Sequence, residues 1–393
     1  MTEAQVRAGR DTFRVLMTSS VFEPGYRGGG PVRSLATTVD TASPGIEVSL
    51  VTADRDLGAK DPYPGLSGRW SSRGRARVFY LNTRSLRQWA KLLRGLRSTR
   101  FDLLYVNSFW SPTATIVPVL AARLRLIRAE RVLLAPRGEL SQGALGVKAG
   151  KKKLFLPWWR RLLQSMGVEW HATADLEVAD IRAACPWASV RMVPTQTALP
   201  REPMPVPAPT TTEARLVFIS RIAANKNLHL AIDALGQTTA PVTLDVYGPA
   251  EDNRYWKDCL DRAKRLPGTA RVEYRGELSP SEVRPTFARY DAFLFPTTGE
   301  NFGHVIAESL SASCPVVCSD LTPWTDVLRD GGGRVVAELS AAGVGAEVQR
   351  IAVMAPAERA GLRQSAGEAY REWRRTCADR NVLDVAKQEA GAL

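Results

Sequence analysis

The stretch Phe295-Pro296-Thr297-Thr298-Gly299-Glu300-Asn301-Phe302-Gly303-His304-Val305-Ile306-Ala307-Glu308 reads as a strand end, a glycine-bearing turn and the start of a helix. Glu300 falls in the turn, and Glu308 is expected about two turns up the helix. Two carboxylates so spaced reach different parts of one elongated ligand. Between them, Asn301, Phe302, Gly303 and His304 are expected to supply the unpaired N–H groups of a helix N-terminus, which attract phosphate by hydrogen bonding and through the helix dipole. A ligand with hydroxyls at both ends and phosphate in the middle suits this layout. A nucleotide sugar is such a molecule, since a carboxylate accepts paired hydrogen bonds from the vicinal hydroxyls of a hexose at one end and a ribose at the other. The same spacing also suits an ordinary strand, turn and amphipathic helix with two solvated glutamates, so other residues have to decide.

They lie upstream, in Leu216-Val-Phe-Ile-Ser-Arg-Ile-Ala-Ala-Asn-Lys-Asn-Leu-His-Leu230, where an apolar strand ends at Ser220 and is followed by Arg221 and Lys226. In open α/β sheets ligands bind at the carboxyl ends of the strands, and an Arg with a Lys at such an edge can clamp a diphosphate and offset charge on a leaving group. A solvated basic loop is the alternative. The Ser-Arg-x4-Lys segment, followed by Glu-x7-Glu with Phe-Gly inside it, resembles the large group of retaining GT-B glycosyltransferases that includes sucrose synthase-like and lipopolysaccharide sugar transferases. The resemblance runs over nearly the whole chain, with the motifs in the expected order. It implies an α/β fold of two doubly wound Rossmann-like domains facing across a cleft, with a C-terminal helix crossing back to the first domain. It also implies that Arg221 and Lys226 hold the donor diphosphate, that Glu300 touches the transferred sugar and Glu308 the ribose, and that Asn301, Phe302 and Gly303 contact sugar and phosphate. The segment from Arg275 through Gly276 to Leu278, after the Gly248-Pro249 strand end, would lie against the nucleobase, mainly through backbone.

Three further places bear on the acceptor side. Val15 to Ser20 reads as a first strand, and Glu23-Pro-Gly-Tyr-Arg-Gly-Gly-Gly-Pro-Val-Arg-Ser34 follows as a loop entering a helix, with Pro31 suited to its first turn. Consecutive glycines permit close backbone approach, and the resemblance puts Gly29 and Gly30 near donor phosphate and acceptor. A dinucleotide reading competes, because Gly28 and Gly30 match G-x-G and Asp54 ends the next strand, although Arg33 stands at the third glycine position. In Leu133-Leu-Ala-Pro-Arg-Gly-Glu-Leu-Ser141, Arg137 stands where many of the resembling proteins have histidine, and some bacterial polysaccharide transferases have Pro-Arg-Gly-x-Leu. Arg137 can meet an acceptor phosphate or carboxylate and Glu139 can orient a hydroxyl, or the two form a structural ion pair. His171 is the one histidine of three expected at a strand end, either facing the cleft or satisfied structurally.

Length and composition frame the rest. A chain of 393 residues exceeds what one core normally serves, and 45% apolar residues is ordinary for a globular protein. The proline run 199–212 reads as an extended interdomain linker, between an N-terminal domain over 1–198 and a C-terminal one over 213–375, with 376–393 crossing back. Strands are expected at 13–17, 48–51, 103–106, 132–134 and 190–193, with helices at 85–96 and 113–128; further strands near Leu216, Leu244, Val272, Ala292 and Val316 give a second parallel sheet. Five scattered cysteines lack the spacing of a zinc site and are expected to be reduced. No metal or other cofactor is expected beyond the nucleoside diphosphate sugar as co-substrate, since cations and helix end take over leaving-group stabilisation. Without an apolar run of transmembrane length or a secretory start, the chain is expected in the cytoplasm. Residues 1–200 hold 30 Lys and Arg against 15 Asp and Glu, a net of +15, whereas 201–393 hold 23 against 25, a net of −2. The basic half suits an anionic or lipid-linked acceptor, and residues 151–164, with cations flanking Leu, Phe and two tryptophans, suit peripheral contact with the inner face of an anionic membrane; Pro157 is expected to interrupt that helix, and a core helix with a basic edge is the alternative. Nucleic acid is not expected, for want of a recognised motif. Transfer of a sugar to an acceptor hydroxyl is the leading function, with a GT-B nucleotide-sugar 2-epimerase and a nucleotide-cofactor oxidoreductase as enzymatic rivals and a non-catalytic membrane- or nucleic-acid-binding protein as the third class.

Overall fold

The computed structural model describes residues 12–141, 149–208, 211–377 and 380–392. The chain forms two compact units, Met1–Ala198 with Asp379–Leu393, and Leu199–Ala378. In the first, the strands are β1 (Phe13–Ser19), β2 (Ile46–Ala53), β3 (Trp70–Arg73), β4 (Ala76–Leu81), β5 (Arg100–Asn107), β6 (Arg128–Ala135), β7 (Glu169–Ala172) and β8 (Ser189–Met192). They make one sheet in the order β3-β4-β2-β1-β5-β6-β7-β8, parallel except for the β3–β4 hairpin. Strands such as β1 and β5 are apolar along most of their length because helices cover both faces, and parallel strands buried on two sides cannot alternate.

The helix Val382–Ala392 belongs to this first unit. Val382, Leu383 and Ala386 are buried in its core, and the Asn381 side chain donates to the Thr38 carbonyl at 2.7 Å. Its far end is tied by a four-charge cluster: Arg131 on β6 makes two hydrogen bonds to Glu169 at 2.7 and 2.6 Å and one to Glu389 at 3.0 Å, while Arg191 on β8 binds Glu389 at 2.7 Å. Geometry of this forked kind sits at the upper end of what partly exposed pairs contribute, on the order of 1 kcal/mol each.

The second unit has six parallel strands, β9 (Ala214–Ile219), β10 (Val242–Tyr247), β11 (Ala270–Gly276), β12 (Ala292–Phe295), β13 (Val316–Ser319) and β14 (Gly333–Val336), in the order β11-β10-β9-β12-β13-β14. The order reverses at β9, whose neighbours are β10 on one side and β12 on the other. Loops leaving β9 and β12 therefore diverge at their carboxyl ends and leave a crevice, which is the ligand position of open α/β sheets. The helix Leu228–Leu235 packs on Asn253–Ala263 and Ala341–Ala352, and His304–Ser311 on Pro280–Phe287 and Pro356–Thr376.

Three local expectations are corrected. The expected helix at 113–128 is a wide turn, Pro112–Ile116, running into the helix Val117–Arg123, and Arg128 already begins β6. The helix Ala149–Ser165 continues through Pro157, whose ring is exposed, so the proline removes one hydrogen bond without ending the helix. The proline run is strapped to the second unit in its described part: the Met204 N–H donates to the Ser311 carbonyl at 2.8 Å, the Tyr370 hydroxyl to the Pro200 carbonyl at 2.6 Å, and Arg359 to the Thr211 and Thr212 carbonyls at 2.8 and 3.0 Å. Residues 209 and 210 lie outside the described residues.

Candidate active site

At the switch point, β9 ends at Ile219 and the chain passes Ser220 and Arg221 into a short helical turn, Ala224–Lys226, that Asn227 closes with a left-handed backbone at φ 54°. The Asn227 amide donates to the Pro296 carbonyl at 2.8 Å, and the Asn225 carbonyl accepts from the Thr298 N–H at 3.1 Å. These bonds lash the β9 loop to the β12 loop. In consequence the Lys226 ammonium meets the Glu300 carboxylate in an ion pair, with side chains 10% and 15% exposed, and lies 5.5 Å from the centre of the Phe295 ring. Sequence separates these two by 74 positions; the fold joins them.

The helix start differs from expectation. Gly303, with φ 78°, is the N-cap of His304–Ser311, so Asn301 and Phe302 belong to the preceding turn and Glu308 lies about one turn up the helix rather than two. As a glycine, Gly303 brings no capping side chain of its own. The turn is braced from below by residues the motif did not include: the Glu300 N–H donates to the Leu321 carbonyl at 3.3 Å, the Trp324 indole to the Phe302 carbonyl, and the Ser319 hydroxyl to the Thr297 carbonyl at 2.7 Å. Glu308 is buried, as is most of Glu300, so the alternative of two solvated glutamates is set aside.

Arg221 behaves otherwise. It pairs with Glu251 at 2.6 Å on the loop after β10, and its side chain is 42% exposed, so it is not joined to Glu300. Glu251 was silent in the sequence because nothing in its spacing marks it as a partner. Gly276 ends β11 at φ 89° with open space where a Cβ would stand, and its carbonyl accepts from the Gly248 N–H at 2.9 Å; Leu278 packs half-buried on the core.

In the first unit, Gly29 is a left-handed N-cap at φ 65° and Gly30 opens the helix Gly30–Asp40. The loop before them is pinned by Asp56, which accepts from the Tyr26 N–H at 3.0 Å and from the Arg27 N–H at 3.2 Å. Asp54 is buried against Ser67 at 2.6 Å and Arg55 at 2.9 Å, so the carboxylate that the dinucleotide reading requires on a ribose is already occupied. Arg137, left-handed at φ 55°, donates to the Tyr105 hydroxyl at 2.8 Å and to Asn107 at 2.7 Å. It forms no ion pair with Glu139, whose carboxylate accepts instead from the Phe109 N–H at 2.6 Å, the Trp110 N–H at 2.9 Å and the Ser108 hydroxyl at 2.9 Å.

His171 lies inside, not at a surface. The Val193 carbonyl 2.9 Å from Nε2 can only accept, which puts the proton on Nε2 and leaves Nδ1 to accept from the Tyr105 hydroxyl at 2.7 Å. Burial, helped by the nearby Arg137 charge, pushes its pKa down to about 3, while burial pushes Tyr105 up to about 12. A native state that refuses a proton the unfolded chain accepts loses stability as pH falls below the ordinary histidine value. The loss is about 1.4 kcal/mol per pH unit from about 6.5 down to about 3. Urea unfolding at pH 6 and pH 5, both inside that window, is expected to show a slope of this order in the wild type and a shallower one in His171→Gln; equal slopes would exclude His171 as its source.

The two parallel-sheet α/β units have the GT-B fold. Residues 213–352, the stretch that carries Lys226, Glu300 and Glu308, match the family model described as Glycosyl transferases group 1. A curated relative, the glycogen synthase of Mycobacterium tuberculosis, is 27% identical over 155 residues, 38% of this chain; the chain spans 37% of that relative's length. Among solved structures, Anabaena HepE in complex with UDP and glucose is similar with a TM-score of 0.68 at 16% identity, over 97% of this chain and 99% of that one. Sucrose-phosphate synthase from Thermosynechococcus elongatus gives 0.73 at 16% identity, over 97% and 98%.

Proposed function

We propose that the chain is a retaining glycosyltransferase that moves a hexose-type unit from a nucleoside diphosphate sugar to an acceptor hydroxyl. The observation that carries this reading is the Lys226–Glu300 pair at the switch point of the second sheet, beside the glycine-capped start of the helix that bears the buried Glu308. UDP and glucose in the HepE complex agree with such a donor. In the proposed reaction the bond from the anomeric carbon to the diphosphate oxygen breaks and a bond to the acceptor oxygen forms on the same face. The acceptor proton passes to the departing phosphate oxygen, and the nucleoside diphosphate leaves. Lys226, Arg221 and the N–H groups at the helix start offset the charge that grows on the leaving group. Arg221 exchanges Glu251 for the diphosphate, and Lys226 gains a second anionic partner while Glu300 turns to a sugar hydroxyl. Glu308 takes the ribose hydroxyls, and the open backbone at Gly276 takes the base. Arg137 serves the acceptor, and the loop at Gly29 and Gly30 serves donor phosphate and acceptor together.

Incubating the chain with a panel of nucleoside diphosphate sugars and glycan or lipid-linked acceptors, then reading the product by mass spectrometry and its anomeric configuration by NMR, tests this. Nucleoside diphosphate release, a retained configuration and full activity in EDTA are expected. An inverted product, or an epimerised nucleotide sugar formed without transfer, would replace the reading.

Contact with an anionic membrane is part of the same proposal. On the helix Ala149–Ser165, Leu154 is 87% and Trp158 49% exposed, in one stripe with Pro157 and Arg161, while Trp159 and Leu163 face the core. The side chains of Lys151, Lys152 and Lys153 lie outside the described residues. Among the described residues no helix is long and apolar enough to cross a membrane, so the contact is peripheral. Co-sedimentation with vesicles containing phosphatidylglycerol is expected to drop several-fold in Trp158→Ala, and unchanged binding would remove this part.

A further inference from the structure

The helices of the first unit divide between the two faces of its sheet, and their charges divide with them. Leu92, Val119 and Trp159 share one core with Leu104 and Leu134, whereas Leu35 and Leu383 share the other with Leu103 and Leu133. Successive residues of a strand point to opposite faces, so the helices Leu86–Leu96, Val117–Arg123 and Ala149–Ser165 lie on one face and Gly30–Asp40 and Val382–Ala392 on the other. The three lead the same way along the sheet, from β4 to β5, β5 to β6 and β6 to β7, and right-handed crossovers in one direction stack on one side. With their flanks, residues 84–100, 117–128 and 149–165 hold six, three and five Lys or Arg and not one Asp or Glu. The two helices on the opposite face hold two Lys or Arg against three Asp or Glu. Among the helices the positive excess therefore belongs to one layer. It stops at the helix Asp175–Ala184, which packs on the same core through Ile181 and carries three acids against one arginine. On Leu86–Leu96 the side chains of Leu92 and Leu96 turn inward, and Arg87 and Arg94 stand about two turns apart on the far side, exposed and without a carboxylate partner among the described residues. Leu86 at 83%, Leu124 at 68% and Leu154 are the three most exposed large apolar side chains among the described residues of the first unit, and each lies on one of these helices or at its end.

We infer that this whole layer is a docking face for an anionic lipid bilayer, which the first unit meets with its sheet parallel to the membrane plane. Cations at the level of the head groups and leucines among the upper acyl carbons are the arrangement by which helices lie in a membrane interface. A nucleic acid or an acidic glycan would answer the arginines and leave Leu86 and Leu124 standing in water, so the apolar side chains select the bilayer among polyanions. As an extension of the membrane contact proposed above, the face rests on that reading for Trp158, and it adds a second anchor, the helix Leu86–Leu96. Arginines spaced along a helix do not stand out in a chain as two adjacent tryptophans do; strand order brings them to the face that Trp158 shares.

Co-sedimentation with vesicles of phosphatidylcholine, with and without phosphatidylglycerol, tests the face. Saturable partition onto the phosphatidylglycerol vesicles alone, weakening with salt, is expected for the wild type. Arg87→Gln combined with Arg94→Gln is expected to weaken it by about tenfold or more, the scale set by two cations at an anionic surface. Leu86→Ser combined with Leu124→Ser is expected to weaken it several-fold, and to do so at a salt concentration that screens the charges. All four side chains are exposed, so the midpoint of urea unfolding should stay at the wild-type value. Arg265→Gln combined with Arg271→Gln removes the same charge from the second unit and is expected to leave partition unchanged. Wild-type partition in the Arg87 and Arg94 variant, or an equal loss in the Arg265 and Arg271 variant, would overturn the face. Loss in the Arg87 and Arg94 variant with none in the leucine variant would overturn the bilayer in favour of a soluble polyanion. The earlier contact fails separately, as wild-type partition in Trp158→Ala with loss in the Arg87 and Arg94 variant. The transferase reading fails as absent nucleoside diphosphate release with vesicle binding intact.

Discussion

Replacing Lys226 by alanine is expected to lower kcat/KM by about 10²–10³-fold, the effect of removing one preorganised donor from a developing oxyanion, and to weaken nucleoside diphosphate binding measured by calorimetry. The ammonium is held on Phe295 and paired with Glu300 before any donor arrives, so it needs no reorganisation as the diphosphate departs. The same change leaves a mostly buried Glu300 carboxylate without its partner, which costs on the order of 1–3 kcal/mol of stability. Activity and stability must therefore be separated. In Lys226→Ala with Glu300→Gln the orphan charge is gone, and the midpoint of urea unfolding should recover toward the wild type while transfer stays lost. A cycle of the two single variants and the double isolates their coupling. Wild-type nucleotide affinity in Lys226→Ala would remove Lys226 from the donor site, and with it the proposal that the switch-point crevice holds the diphosphate.

Much of this site was legible in the chain. Uninterrupted apolar runs ending in Ser220 and in Phe295 marked buried parallel strands, and the residues after such strands gather at one edge of a sheet by topology alone. Lys226 and Glu300 were therefore nameable from sequence, whereas the start of the helix of Glu308 at Gly303 was not, since the expected helix end began at Asn301. Nor was the mutual ion pair of Lys226 and Glu300. It depends on β9 and β12 being neighbours, a fact of strand order that no local spacing encodes. Arg221 went the other way: a cation at the right strand end, it is claimed in this structure by Glu251 from the next loop. The acceptor-side candidates show a further limit. Glu139 and His171 have the residue types of catalysis, yet backbone N–H groups and a carbonyl occupy them inside the first unit, and such partners leave no signature in sequence. The strands Trp70–Arg73 and Gly333–Val336 escaped notice because they are short and carry polar residues or glycine.

Gly248→Ala is expected to have the largest effect of any single methyl in the second unit. At φ 133° a side chain is strained already, and an added Cβ would stand 1.9 Å from the Ser220 carbonyl oxygen and 2.7 Å from its carbon. The obstacle is backbone. Ser220 cannot swing aside, because its N–H is bound to the Tyr247 carbonyl at 3.1 Å and the Ile222 N–H two residues on is bound to the Pro249 carbonyl at 2.9 Å. Relief requires prying the β9 and β10 ends apart, which places the substitution among the severe cases at about 4 kcal/mol or more. Any protein that still folds carries Arg221 and the Lys226 turn out of place, so nucleotide affinity falls with stability. Gly276→Ala is the control: it too has positive φ, but nothing lies within 4 Å of its added methyl, and the cost is the left-handed backbone alone, about 1–2 kcal/mol. Urea unfolding of the two variants side by side decides the matter. Should Gly248→Ala unfold no earlier than Gly276→Ala, the close approach of the two strand ends is not what holds the donor loop in position.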